Sequence, residues 1–186
     1  MNNETYCAFL RGVNVNGRTM KMAEVCDAFR TAGMTDVTSV LASGNIIFRS
    51  DHPQADLRSI LESAMTSHYG DTVNLFVKNA DEVSAILRDL PFTANEDLHI
   101  YSFVCESMFE ATLLDEFNKI TPSPNEKACI KNGNFYWQCA KGSTLDSGFS
   151  KILGRKAMKD KFTSRNIGTI EKVQAKMPAK LQSLDL

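Results

Sequence analysis

The sequence lacks the features that mark a membrane, secreted or metal-binding protein. No run of eighteen apolar residues occurs in its 186 residues, so no segment predicts a transmembrane helix. The first twelve residues, MNNETYCAFLRG, do not have the basic start and long apolar stretch of a secretory signal. The five cysteines form no CxxC pair, and the three histidines have no HxxH or HxH spacing. We therefore expect a cytoplasmic protein with inert buried thiols, no metal and no cofactor.

The composition is that of a globular protein, but the charged residues are unevenly distributed along the chain. Hydrophobic residues make up 43% of the chain and charged residues 23%, close to globular averages. The net charge is −1, yet residues 141–180 carry ten Lys or Arg and only three acidic residues. Residues 1–140 carry eleven basic and eighteen acidic residues. The basic segment favours an anionic partner, although a solvated helical face would explain the same pattern.

Hydrophobic periodicity predicts the same order of elements twice. In the first half, the two strands after the first helix are joined around Ser43-Gly44, and Asn79 with Glu82 forms a helix capping box. In the second half, Ser107 with Glu110 predicts another capping box, and Asn132-Gly133 predicts a hairpin. The order β-α-β-β-α-β plus a helix predicts an α+β fold of two tandem ferredoxin-like (βαββαβ) halves, with antiparallel sheets covered by helices. We place the halves at 1–92 and 98–186, linked by TANED (93–97).

The stretch GVNVNGRT (12–19) resembles a nucleotide-binding P-loop but departs from it in three ways. Arg18 stands where that loop has its lysine. Val13 and Val15 are β-branched and resist the positive φ angles that such a loop requires. The strand order predicted above is also not that of a P-loop fold. We therefore do not expect nucleoside triphosphate hydrolysis.

Several cations are predicted at the starts of helices, where the partial positive charge of the helix disfavours them by about 0.3–1 kcal/mol. Arg18 and Lys21 precede the first helix, Lys151 lies in the helix near Ser147, and Arg165 is predicted at the start of the last helix. An anion bound between these cations and the free helix amides would explain them. Ordinary surface charge is the alternative.

Five segments, YCAFLRGVNVNG, KMAEV, LASGNIIF, SKIL and TSRNIGTIEKV, resemble the signature segments of the bacterial domain of unknown function 1697 family. The resemblance covers residues 6 to about 175 and implies two ferredoxin-like halves but no activity. Asn16 stands where the family usually has glycine, and Ile167 where it usually has tryptophan. The matching polar residues are Arg11, Asn14, Ser43, Asn45, Ser150, Lys151, Thr163, Arg165, Asn166, Thr169 and Lys172.

Three functions are compatible with these observations. The first is binding of a phosphorylated small molecule or a nucleic acid in a cleft between the two halves, and this is the one we expect. Its ligand-binding residues would be Arg11, Asn14, Arg18, Lys21, Asn45, Ser150, Lys151, Arg165, Asn166 and Lys172. The second is a protein-interaction or structural module whose open sheet edges pair in a homodimer. The third, a transfer enzyme acting on a phosphorylated substrate, is the weakest, because the signature segments supply no histidine and no carboxylate pair.

Overall fold

The computed structural model describes residues 3–15, 18–144 and 147–177, and for Asn14, Val15 and Arg18 it describes the backbone alone. Over these residues the chain forms ten strands and six helices. The first half runs β1 (Glu4–Leu10), β2 (Asn14–Val15), β3 (Arg18–Thr19), α1 (Met22–Thr31), β4 (Thr35–Ser39), β5 (Asn45–Ser50), α2 (Gln54–Tyr69), β6 (Leu75–Asn79) and α3 (Ala80–Arg88). The second half runs β7 (Leu98–Cys105), α4 (Phe109–Asn118), β8 (Lys127–Lys131), β9 (Asn134–Ala140), α5 (Gly148–Leu153), β10 (Phe162–Asn166) and α6 (Ile167–Lys176).

The first large sheet has the order β4-β5-β1-β6, and all its pairs are antiparallel. Alternate residues of β1, such as Ala8 and Leu10, face the buried cluster beneath α1 and α2. Phe29 of α1 and Leu57 of α2 belong to the same cluster, and both are fully buried. A helix repeats every 3.6 residues and a strand every two. Each of these elements therefore places its apolar residues on one side, and these sides pack together as a shared core.

The second large sheet has the order β10-β7-β9-β8, again antiparallel throughout. If the four strands of each large sheet are counted along the chain, both sheets have the order 2-3-1-4. Its core is aromatic: Phe103 and Phe135 of the sheet contact Phe149 of α5, and Phe162 of the sheet contacts Phe103. The predicted α+β fold with two βαββαβ halves is confirmed.

Two compact units make up the described chain. One unit is Ala85–Ile170, and the other is formed by the remaining described residues. The predicted division into halves at 93–97 stays a prediction. No helix in the described ranges is long and apolar enough to cross a membrane.

The structure confirms the two predicted hairpins and corrects one predicted helix start. Asn132 and Gly133 have φ values of 49° and 76°, the left-handed pair that a tight two-residue hairpin requires. The Ser107–Glu110 capping box is wrong, because α4 begins at Phe109, after Met108 in the left-handed conformation and without a side-chain cap. The amide of Phe109 instead donates to the Glu106 carbonyl, 3.1 Å away.

Candidate functional site

The opening loop folds as a small antiparallel hairpin. Asn14 pairs with Thr19 and Val15 with Arg18, and the amide of Met20 donates to the Val13 carbonyl at 3.2 Å. Asn16 and Gly17 lie outside the described residues. Extended backbone at these positions is the opposite of the curled amide nest that cradles a phosphate in a P-loop. The sequence argument against a P-loop therefore agrees with the described backbone.

The base of this hairpin is fixed to the first sheet by close backbone contact. The amide of Leu10 donates to the Gly44 carbonyl at 2.8 Å, and the amide of Arg11 donates to the Asn74 carbonyl at 2.9 Å. Gly44 has a φ of 73°, and a Cβ placed there would lie 2.4 Å from Cγ2 of Val13. Only glycine allows this approach. Two separate signature segments, the opening loop and the Ser43–Asn45 turn, thus meet at one end of the first sheet.

The side chain of Asn45 stabilises this turn. Its side chain is fully buried, and its Nδ2 donates to the Val40 carbonyl and to Oγ of Ser43, both at 2.9 Å. These bonds close the β4–β5 connection around Gly44. The ligand-orienting role predicted for Asn45 stays a prediction, whereas its role in the turn is visible in the structure.

Lys21 is the cation that the structure places at a helix start. It is the N-cap residue of α1, with extended backbone, and its side chain gives no capping hydrogen bond. Its ammonium lies 3.2 Å from Glu24 in the first helical turn, and the two side chains are 77% and 43% exposed. Arg11 lies half-buried where β1 ends, and the backbone of Arg18 lies in β3. Three predicted ligand-binding cations therefore lie in or directly beside β1, β3 and α1, within one compact unit.

Lys151 takes a position in α5 that differs from the one predicted, and Ser150 precedes it in the same helix. Oγ of Ser147 caps this six-residue helix by accepting from the Ser150 amide at 3.1 Å. The Ser150 hydroxyl contacts Oγ of Ser147 at 2.9 Å and donates to the carbonyl of Thr144. Lys151 is exposed in the last turn, not the first, because the short helix ends at Leu153. A cation there is favoured by the helix dipole and needs no anion to explain it.

Arg165 lies in strand β10 and not at the start of a helix, which corrects the sequence prediction. It is 8% exposed, and its Nη1 donates to Oγ1 of Thr163 at 2.7 Å and to the Ser164 carbonyl at 2.9 Å. The helix starts later because Asn166 caps it, accepting from the Gly168 amide at 3.0 Å.

The side chains of Arg165 and Asn166 lie on opposite faces of the second sheet. Arg165 stands opposite Ser102 in the register and Asn166 opposite Tyr101, and successive residues of a strand alternate between faces. Nδ2 of Asn166 lies 3.1 Å from Nδ1 of His99 on its own face. The structure therefore does not bring these two side chains together, although the sequence places them side by side. Lys172 is exposed on α6.

Three of the cysteines are not activated as nucleophiles. Burial is the main cause that raises the pKa of the Cys26, Cys129 and Cys139 thiols, so each holds its proton at neutral pH. Among the described residues, no three His, Cys, Asp or Glu side chains are grouped to hold a metal ion.

The chain resembles known proteins in both fold and sequence. Across the fold it is similar to the conserved bacterial protein SP0830 from Streptococcus pneumoniae, with a TM-score of 0.76 and 22% identity over 93% of this chain and 97% of that one. An unknown protein from Galdieria sulphuraria is 8% identical over 88% of this chain and 97% of that one, and its TM-score of 0.24 carries no argument. No curated protein matches the chain. The model of the family described as "Protein of unknown function (DUF1697)" matches residues 3–136, and the chain therefore belongs to that family.

Proposed function

We propose that the protein binds a phosphorylated or otherwise anionic small molecule where β1 leads into the β2–β3 hairpin and α1. The observation that supports this most is Lys21, a cation at the N-cap of a ten-residue helix whose N-cap side chain gives no hydrogen bond. Ser, Thr, Asp or Asn is the usual residue at this position, because its side chain accepts from the first amides. An anion bound there would accept from those amides and neutralise Lys21.

The contact between Lys21 and Glu24 does not oppose this proposal. Both side chains are largely exposed, and exposed ion pairs of this kind contribute about 0–1 kcal/mol. A phosphate group would therefore displace Glu24 from Lys21 at little cost. In this proposal Arg11, which follows β1, and Arg18, in β3, add charge-assisted hydrogen bonds to the anion.

The ligand-binding roles of Lys151, Arg165 and Lys172 remain predictions, and so does the cytoplasmic location. Lys151 and Lys172 are exposed, so alanine at either position tests its contribution without disturbing a core.

Thermal unfolding against a ligand panel tests the proposal. The panel holds inorganic phosphate, mononucleotides, sugar phosphates and short RNA, each at low and high salt. A ligand at one hundred times its dissociation constant stabilises by about 2.7 kcal/mol, which raises Tm by roughly 5–10 °C for a chain of this size. We expect a shift with one class of small phosphate compound and a loss of that shift in Lys21→Ala.

Two further variants make the result specific. Glu24→Gln removes the carboxylate that competes for Lys21, so the same ligand should bind more tightly. Lys176→Ala removes an exposed lysine from the last turn of α6 and should leave binding unchanged. A panel without any shift, or equal shifts in wild type and Lys21→Ala, would overturn the proposal and favour the protein-interaction module.

A further inference from the structure

A cavity of about 160 Å³ lies in the second unit, between the segment before β8 and the end of β9. Six of the side chains that line it carry groups able to form hydrogen bonds: Ser123, Asn125, Glu126, Cys139, Ser143 and Ser147. Among the described residues that line it there is no lysine, arginine or histidine. Since a water molecule occupies about 30 Å³ in the liquid, the volume corresponds to roughly five waters.

Glu126 supplies the charge of this cavity. The residue is only 5% exposed, and its two oxygens accept from different neutral donors. Oε1 accepts from the indole Nε1 of Trp137 at 3.1 Å, and Oε2 accepts from the Ser123 amide at 3.2 Å. Within the described ranges no cation lies at ion-pair distance from Glu126. Each oxygen keeps a second lone pair for another donor.

A cation in the cavity would complete this arrangement. A buried carboxylate that has hydrogen bonds but no counter-charge keeps part of its desolvation penalty. The remaining polar side chains of the wall are neutral: three serine hydroxyls, the Asn125 amide and a thiol, and their oxygen and sulfur atoms can accept hydrogen bonds. Burial, followed by the nearby charge of Glu126, raises the pKa of Cys139, although its contact with Thr144 acts the other way. The thiol therefore adds no second negative charge.

We propose that this cavity binds a small primary ammonium group, with Glu126 as its charge partner and the serine hydroxyls as further acceptors. Its size suits an ammonium that carries one to three additional heavy atoms. The site is independent of the proposed anion site, because it belongs to the other compact unit and has the opposite charge.

Trp137 gives a direct readout, because it is the only tryptophan of the sequence and its indole N–H donates to Glu126. A ¹H–¹⁵N spectrum of the full chain therefore shows one indole cross-peak. We expect methylammonium and ethanolammonium chloride, titrated at constant ionic strength against sodium chloride, to shift this peak in a saturable way. Tetramethylammonium has no N–H to donate and ethylene glycol has no charge, so both should bind at least tenfold more weakly.

Variants of the cavity separate this proposal from a general salt effect. Glu126→Gln keeps the shape of the side chain but removes its charge, and should weaken methylammonium binding at least tenfold. Asp115→Asn removes one exposed charge from α4 and should leave binding unchanged. If Glu126→Gln fails to fold, Ser143→Met decides the matter, because it fills the cavity and should abolish binding. An indole peak that does not move, an equal response to ethylene glycol, or binding retained in Glu126→Gln or Ser143→Met would overturn the proposal.

Discussion

Gly44 shows how a single position can hold two distant segments together. Its missing side chain lets the β4–β5 turn approach Val13 and Leu10 of the opening segment. A Cβ at this position would lie 2.4 Å from Cγ2 of Val13 and 2.9 Å from Cβ of Leu10, well inside normal contact. Because Leu10 and Val13 are buried, neither can move away without disturbing the core of the first sheet.

Gly44→Ala should therefore lower the free energy of unfolding by about 2–4 kcal/mol. The value combines the strain of a positive φ with overpacking of a filled site. The measurement is urea unfolding of both proteins, followed by far-UV circular dichroism. Gly70→Ala is the matched control, because its φ of 75° is nearly the same and nothing lies within 4 Å of its Cβ. An equal loss in the two variants would show that the contact with Val13 contributes nothing.

Residue type alone could not show which hydrogen bonds the predicted asparagines make. Asn45 and Asn166 fit either role in the sequence, since asparagine caps helices, closes turns and binds ligands with the same amide group. The structure shows Asn45 bonded to Val40 and Ser43, and Asn166 bonded to the Gly168 amide. These partners are backbone atoms and one hydroxyl, and Asn166 also contacts Nδ1 of His99; the sequence pattern does not identify them.

At the scale of elements, one of the two predicted capping boxes forms in the structure and the other does not. The box at the start of α3 is confirmed, because the Glu82 amide donates to Oδ1 of Asn79 and the Asn79 amide donates to Oε2 of Glu82, both at 2.9 Å. Burial opposes the charge of Glu82, but bonds from Lys78, Asn79 and Gln54 outweigh it and lower the pKa of this carboxyl. The box expected at Ser107 does not form.

Asn79→Ala should consequently destabilise the protein by about 1 kcal/mol, the usual contribution of a cap. Ser107→Ala should change stability by less than about 0.5 kcal/mol, since an exposed serine without a capping bond contributes little. Urea midpoints of the two variants, measured side by side with wild type, give the comparison. A loss at Ser107 as large as that at Asn79 would contradict the observed start of α4.

Long elements with clear periodicity were predictable, whereas short ones were not. The helix that closes at Gly70 and the hairpin at Asn132-Gly133 follow from local stereochemistry, since both glycines have positive φ. The strands β2 and β3 have two residues each, too few to show any alternation. Helix α5 stops at Leu153 although the apolar pattern continues to Met158, because the chain turns at Gly154 and Arg155.

At the scale of the molecule, the duplicated order of elements was enough to predict the fold but not the site. A βαββαβ pattern with short connections leaves few antiparallel strand orders, and both sheets adopt the same one. The site depended on which side chains share a face, and this is decided by register. Arg165 and Asn166 are adjacent in the sequence, yet a strand turns their side chains to opposite faces.

The uneven distribution of charge is also a property of the whole molecule. It predicts binding of polyanions, which the net charge alone does not predict. With a pI near 6.3 the protein is negative at pH 7.5, but four cations lie within the seven residues from Arg155 to Lys161. Arg155 contacts Glu116 and Lys161 contacts Glu106, while Lys156 and Lys159 are exposed. Since the Debye length is about 10 Å at 0.1 M salt, a polyanion responds to this local cluster more than to the net charge.

We expect the protein to be retained on heparin at low salt despite its negative net charge. The double variant Lys156→Gln/Lys159→Gln should elute at a clearly lower salt concentration, because it removes half of the cluster's cations. The matched control is Lys127→Gln/Lys131→Gln, which changes the net charge equally at two exposed positions of β8, outside the basic segment. Equal shifts in the two double variants would mean that only the net charge matters. A larger shift in the Lys156/Lys159 variant would show that the segment from Arg155 to Lys161 is where polyanions contact the molecule.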